Sequence, residues 1–506
     1  MVVYWHKRDY RFLDNAALNC GLELARANDC ALVPIMGLEN DMDNYEFDTF
    51  HVFALLNAMI PLYNNYVHHK INPFIFDDNI VSVLNRLNNK TKITHLISHQ
   101  EHGTSYTYER DHKVSQYCKL NNIEWIQLQP SSIVRGLKSR DDRDKYWKAY
   151  VNSPYFPIPS FEGVKTIKVE DDYDQLVKLQ SSFTDYSSLA QTSEKNGLKT
   201  LHDFINLRAD KYKGSISSPN TAIEFGTRLS QYIAYGSLSI RYIIQSFWQG
   251  INLVKLSNDK KTMAGILSAM TRIHWREHFI QRLEDEHSMA DVTMNVDYNN
   301  IEYANNPEHI KAFETGHTGE PMIDSVIRCL NKTGFINFRM RAMLVSYATF
   351  ALDIDWRIIG RILAKKFLDY EPGIHWSQIQ MQAGITGINS VRVYSPSKQL
   401  KDQDSQAIFV KKWIPELAEI EPKDILNYDK ISLSDITNCN YPDPICDTNQ
   451  CIRDNKAKVF EIKKLKTDSS KAVFVKHGSR MKKKTKAKKK IPKVKVVNKS
   501  ASIELL

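Results

Sequence analysis

An α/β domain built on a doubly wound parallel sheet, followed by an all-α C-terminal domain, is the fold class that this 506-residue sequence predicts. Two observations carry the expectation. Through residue 130, short apolar or β-branched runs alternate with longer stretches of helical spacing, the rhythm of strands and helices in a parallel sheet. From about residue 201 the apolar period stays near that of a helix, and no β-rich stretch of any length returns before the tail.

The elements follow in order. Strands are expected at Val2–Trp5, Ala31–Met36, Pro73–Phe76, His95–Ser98 and Glu124–Leu128. Helices between them include Ala16–Ala27, Thr49–Tyr63 and Thr107–Leu120. No G-x-G-x-x-G follows the first strand, so the common dinucleotide fingerprint is missing. Residues 131–200 are mixed, and SPYFPIPSF, with prolines at 154, 157 and 159, reads as an extended segment. A connector crossing the surface fits it better than a third domain. Beyond it, Ser230, Ser237 and Ser239 are expected as helix caps.

Composition narrows the class. An apolar fraction of 42% and a charged fraction of 25% are those of an ordinary globular protein, which excludes collagenous, disulfide-dense and broadly disordered chains. The start has charges directly after a very short apolar run, the reverse of a secretory signal, and no stretch approaches the roughly 18 apolar residues of a membrane helix. A cytoplasmic protein without a membrane partner is expected. The seven cysteines (20, 30, 118, 329, 439, 446 and 451) are odd in number and scattered, which suits free thiols. A zinc or iron–sulfur site in the late trio is the alternative, with neither C-x-x-C spacing nor a histidine among the three to favour it. The net charge of +10 is local: residues 476–499 hold twelve Lys/Arg and no acid, and without them 56 Lys/Arg face 58 Asp/Glu. That tail cannot bury a core. It is a phosphate binder without sequence preference, or a solubilising segment.

Four constellations carry chemistry. Gly226–Arg241, GTRLSQYIAYGSLSIR, places a glycine, hydroxyls and Arg228 where a helix starts, an arrangement that suits a phosphate, or simply a well-capped helix. His274–Phe279, HWREHF, sets an indole among cations at helical spacing, for base stacking or as an amphipathic surface. In Thr315–Arg357, Arg339 and Arg341 enter an otherwise apolar helix and need partners, for which Asp369 is in reach, either as a structural ion pair or against a cofactor ring. Gly373–Pro396 reads as a loop wrapped on something.

Taken in order, these pieces resemble the photolyase/cryptochrome family over about residues 1–460. VVYWHKRDYRFLDNAAL is similar to W-x-R-R-D-L-R-x-x-D-N-x-A-L, GTRLSQYIAYGSLSIR to T-S-x-L-S-P-x-L-x-x-G-x-L-S-x-R, and HWRE to a W-R-E helix. TGHTGEPMID resembles G-x-T-G-x-P-x-x-D, and DIDWR and YPDPICD fall in the expected places.

The resemblance implies an antenna domain at 1–130, a connector at 131–200, a helical FAD-binding domain at 201–475 and the tail at 476–506. It implies FAD in a bent form, with Gly226, Thr227, Arg228, Leu229, Ser230 and Tyr212 at the phosphates and the Arg341–Asp369 pair beside the ring. Arg276, Arg339 and Trp376 are further cofactor positions. Arg272, Trp275 and Gln382 fall on the lesion side, and Trp275, Arg341, Asp369 and Trp356 are the catalytic candidates. The activity implied is that of a deoxyribodipyrimidine photo-lyase, a carbon–carbon lyase. Reduced FAD, excited by blue light, gives one electron to a pyrimidine dimer flipped out of DNA, the dimer splits, and the electron returns. UV-damaged DNA is the partner and a monomer the expected state.

Several positions depart from the family pattern. Phe338 and Ala342 stand where other residues are common, and the flavin-facing asparagine falls on Trp376 or His375. Arg272 replaces a dimer-contacting glutamate, Gln382 a lesion-clamping tryptophan, and Gln380 the flavin-proximal tryptophan of the electron-transfer chain. The chain looks like a divergent bacterial subgroup, with photoreduction through Trp356, Trp376 or Tyr347. Cyclobutane dimers are favoured over (6-4) products. A cryptochrome-like photoreceptor without repair is the alternative, and a light-independent flavoprotein or structural DNA binder the third reading. Ser98–Asp111 occupies the antenna region, where folate, a deazaflavin, a lumazine or no second chromophore are all open.

Overall fold

The computed structural model describes residues 1–39, 47–186, 189, 191–387, 391–430, 432–433 and 440–464. Cys439 and the basic segment 476–499 therefore lie outside the described residues, and Gly373–Pro396 is described only in part.

Five strands form one parallel sheet: β1 Val2–Trp5, β2 Leu32–Leu38, β3 Phe74–Asp77, β4 His95–His99 and β5 Glu124–Leu128, in the order β3-β2-β1-β4-β5. Helices α1 Ala16–Ala27, α2 Thr49–His68, α3 Ile80–Lys90 and α4 Ser105–Leu120 connect them. Every residue of β1 is buried, as a central parallel strand covered on both faces requires. One face packs Val3, Trp5, Val33, Ile35 and Leu84, and the other packs Val2, Tyr4, Leu18, Leu22 and Met36. The strand order reverses at β1, so the crevice beyond the carboxyl ends of β1 and β4 is the topological switch point of the sheet.

The connector is more structured than its composition suggests. Residues 153–161 carry no helix or strand, but α5 Arg143–Asn152, α6 Tyr173–Ser182 and α7 Glu194–Asp203 flank them. The helical half continues with α8 Ala209–Ser215, α9 Pro219–Phe225, α10 Ser230–Ala234, α11 Ile240–Leu256 and α12 Lys260–Asp285. Next come α13 Pro307–Thr315, α14 Pro321–Thr333, α15 Phe338–Phe350, α16 Trp356–Lys366 and α17 Pro372–Gln382, then α18 Pro396–Gln403 and α19 Ile408–Trp413. A last long helix spans Thr448–Lys464. None of the described helices is long and apolar enough to cross a membrane.

Of the three expected serine caps, Ser239 accepts from the Tyr242 amide and caps α11. Ser230 is instead the first residue of α10, whose N-cap is Leu229, and Ser237 donates to the Thr192 carbonyl. A serine before an apolar run signals a helix start only to within a residue or so, because either the side chain or the preceding backbone can close the turn.

The halves interlock at the first strand's exit. Gly236 has φ +66° and lies so close to the Arg8 carbonyl that a Cβ would sit 1.7 Å from it. Arg11 donates to the Gly236 carbonyl at 2.7 Å, and the Asp14 carboxylate takes the Arg241 guanidinium and the Ser239 hydroxyl. Leu368, Ala234 and Tyr235 complete the apolar cluster beneath the sheet.

Candidate functional site

α9 ends at Gly226, where a Cβ would approach the Ala222 carbonyl to 2.5 Å, so this turn accepts no side chain. Two residues on, Arg228 takes φ +56°, the left-handed region that a branched or long side chain enters at a cost. That turn sends one guanidinium nitrogen to the Ile223 carbonyl at 2.9 Å and leaves Arg228 Nε buried with no acceptor among the described residues. Burial lowers the Arg228 pKa, opposed by the charges of Tyr232 and Asp369. Leu229, the N-cap of α10, makes no side-chain hydrogen bond to the helix start, and its own side chain is buried in the core. Thr227 is partly exposed and Ser230 exposed at this same corner.

Arg341, on α15, comes to the same place from the other side. Its Nη2 donates to both Asp369 oxygens at 2.9 and 3.0 Å, and Nε donates to the Ile336 carbonyl at 3.0 Å. The Phe335 ring links the two arginines: the guanidinium carbons of Arg228 and Arg341 lie 5.2 and 5.7 Å from its centre. Phe367 covers Arg341 at 4.1 Å. Arg228, Arg341 and Asp369 thus converge, two cations upon one carboxylate. Among the described residues Arg228 has no ion-pair partner, although it is partly buried.

Other candidates are held elsewhere. Arg276 donates to Glu277 at 2.8 Å and to Glu371 at 2.6 Å, and Glu371 also pairs with Arg8 at 3.2 Å. Among the described residues Arg339 makes two long contacts, 3.5 Å to Gln399 and 3.4 Å to Ser217. Tyr212 is buried on α8; burial raises its pKa and the charge of Arg272, on α12, opposes the rise. Trp275 is 44% exposed on α12 and stacks on Phe279 with centroids 6.0 Å apart. Gln382 ends α17 and reaches Gln378 at 3.3 Å. Phe338 opens α15 in an exposed position, while Ala342 is buried.

Trp376 is fully buried against Gly360 and donates to the Tyr370 hydroxyl at 3.1 Å. It meets Trp356 edge to face at 6.0 Å, and Arg357 lies 4.6 Å over the outer indole. His375 is driven down to about 3 by burial, so the ring that contacts the Gly360 carbonyl is neutral. The buried Tyr347 hydroxyl has no hydrogen-bond partner among the described residues. Gln380 donates to the Met289 and Val292 carbonyls at 2.8 and 3.0 Å and accepts from the Met294 amide at 2.7 Å, tying the 289–294 segment to α17.

The switch-point crevice is lined by Lys7, Arg8, Glu39, Glu101, Arg110 and Tyr370, among others. Arg110 bonds Glu39 at 3.1 Å, Glu101 at 2.5 Å and Asp111 at 2.9 Å, while Lys7 takes the other Asp111 oxygen at 2.6 Å. Burial raises Glu39; it also pushes Glu101 up, but Arg110 and Lys7 outweigh it and hold that carboxyl low. Six residues of Ser98–Asp111, from Glu101 to Arg110, thus line a charged crevice.

Sequence reasoning missed Phe335, Glu371 and the tether made by Gln380. Phe335 and Glu371 stand next to motif residues without belonging to a pattern, and the partners of Glu371 are 363 and 95 residues away. Among the described residues no group of three or more His, Cys, Asp or Glu forms a metal site.

Two family models match this architecture: "DNA photolyase" over residues 2–152 and "FAD binding domain of DNA photolyase" over residues 269–461. A mitochondrial deoxyribodipyrimidine photo-lyase of Saccharomyces cerevisiae is 30% identical over 48% of this chain and 43% of its own length, so the match spans less than half of that relative. A deoxyribodipyrimidine photo-lyase of Synechococcus sp. is 23% identical over 91% of this chain and 97% of its own. The crystal structure of a Synechocystis sp. cryptochrome superposes with a TM-score of 0.77 at 18% identity, covering 90% of this chain and 98% of that one.

Proposed function

The chain belongs to the photolyase/cryptochrome family, and from that premise we propose that it is an FAD-dependent enzyme that reverses UV-induced pyrimidine dimers in DNA under blue light. In this reading residues 1–130 carry the antenna side, 131–200 connect, and 201–475 hold the flavin.

The observation that carries the proposal is the convergence of Arg228, Arg341 and Asp369 about Phe335. Two guanidinia and one carboxylate leave an uncompensated positive charge, and a buried guanidinium N–H without an acceptor is costly. A diphosphate satisfies both needs. Thr227, Ser230 and the backbone at Leu229 stand at the same corner to receive its oxygens. Reduced flavin, when bound, supplies a photoexcited one-electron donor. The protein's part is to bind, orient and exclude water. Arg341, fixed by Asp369 and covered by Phe367, sets a positive charge where negative charge gathers on the ring. Trp275 offers an exposed indole on which an extruded base stacks. We assign the switch-point crevice to a second chromophore.

The second reading, a photoreceptor without repair, is favoured by the lesion side. Arg272 sets a cation beside Tyr212, and Gln382 reaches Gln378, where the family resemblance implies an acid and an indole. One experiment separates the readings. The photoreduced protein is incubated with DNA carrying cyclobutane dimers or (6-4) products, in light and in darkness. Repair predicts light-dependent recovery of thymine absorbance on one of the two substrates. No recovery on either, with flavin photoreduction intact, favours the photoreceptor.

A further inference from the structure

Arg282 is a buried cation for which the fold supplies no counter-charge. It lies in the last turn of α12 and is 9% exposed. Among the described residues its guanidinium has no hydrogen bond and no ion pair. Burial lowers its pKa to about 9, Arg140 acts in the same direction, and no acid opposes them. Arg140 is itself buried and takes Asp285 at 3.4 Å. The other Asp285 oxygen accepts from Gln281 at 2.9 Å, so that carboxylate is committed on both sides. Asp285 and Asp141 both act on Arg140, whereas no acid acts on Arg282, so Arg282 keeps an unmatched positive charge while 9% exposed, an arrangement that an anion relieves.

The helix says where the anion comes from. Trp275 and Arg282 are seven residues apart on α12, which puts them about 10 Å apart along the axis and within about 20° around it. Phe279 lies between them, stacked on Trp275. An exposed indole, a second ring and a cation in one line form a track that stacks bases and holds the backbone of a single strand. We propose that Arg282, with Arg140 beside it, binds a backbone phosphate of the DNA strand whose base lies on Trp275. This rests on reading the Trp275 face as the DNA-binding face.

The test uses the full chain with its flavin and fluorescent oligonucleotides with and without a pyrimidine dimer. Affinity is measured from about 50 to about 200 mM salt. Losing one phosphate contact in Arg282→Met is expected to reduce the slope of log affinity against log salt by about 0.7 to 0.9, so that the parent's advantage shrinks about threefold across the range. Arg282→Lys is expected to keep the parent slope. Arg140→Gln removes the second guanidinium beside that phosphate and is expected to lower the slope as well, which decides the matter if Arg282→Met fails to retain flavin. Parent-like slopes in Arg282→Met, or in Arg140→Gln where that variant decides, with dimer preference intact, overturn this assignment and leave the DNA reading standing. A parent without dimer preference or salt dependence overturns both.

Discussion

Arg341 shares one guanidinium nitrogen between both oxygens of Asp369, at 2.9 and 3.0 Å, while its flat face rests 4.1 Å from the Phe367 ring centre. The pair joins α15 to the turn after α16, and it stands on the same phenylalanine as Arg228. Position and charge of Arg341 are therefore set by the protein's own groups.

Removing that cation has two effects. Arg341→Ala leaves Asp369 buried without its partner, at a cost of roughly 3 kcal/mol of stability. Flavin retention and the lifetime of the reduced state are expected to fall together. Absorbance of the purified variant, with a melting curve, checks this; unchanged occupancy and photoreduction would count against the pair as a flavin contact.

Trp376 of α17 and Trp356 of α16, both buried, meet edge to face with Arg357 over the second ring, and we take this pair as an electron route. Trp376→Phe is expected to keep bound flavin and lose most of the photoreduction amplitude under continuous blue light. Trp356→Phe is expected to behave alike, and Tyr347→Phe to leave the amplitude near that of the parent. Full photoreduction in both tryptophan variants would remove this route.

Glu320 predicts a pH dependence. Burial raises its carboxyl to about 7, against the Thr448 and Tyr428 hydroxyls that bond to it. A carboxyl raised in the folded state binds its proton more tightly there than in the unfolded chain. Its stabilising contribution is full below about 4.5 and is lost as pH rises through about 7. The span is worth at most about 3 kcal/mol. The melting temperature should fall from pH 5 to pH 8, and Glu320→Gln should flatten that fall. Equal falls in both proteins would show that this carboxyl does not set the slope.

Deleting residues 476–506, which lie outside the described structure, removes twelve Lys/Arg between 476 and 499. Affinity for damaged and undamaged DNA is expected to drop alike, with a flatter salt dependence and no change in repair at saturating DNA. An unchanged slope would make the tail a solubilising segment.

The elements were legible because their causes are local. Val2–Trp5 and Glu124–Leu128 are strands in the structure with the bounds that apolar runs between helical stretches suggest, and Ala16–Ala27 is a helix end to end. The Arg341–Asp369 pairing was also legible, because two cations in an apolar helix demand a partner. What the pattern could not supply is competition between distant groups. Arg276 looks free in its motif, yet Glu371, 95 residues on, holds it at 2.6 Å. Gln380 reads as a lost tryptophan, and only the fold shows its amide tying Met289, Val292 and Met294. The connector looked extended because three prolines dominate residues 153–161, while helices on either side carry weaker signals.

The most direct measurement is the spectrum of the purified full chain before and during blue illumination with an electron donor, followed by denaturation and analysis of the released chromophore. The account predicts near-stoichiometric FAD whose oxidised bands bleach in light, with loss of both properties in Arg341→Ala. A colourless protein that releases no FAD, or bound FAD that light leaves oxidised, would contradict it.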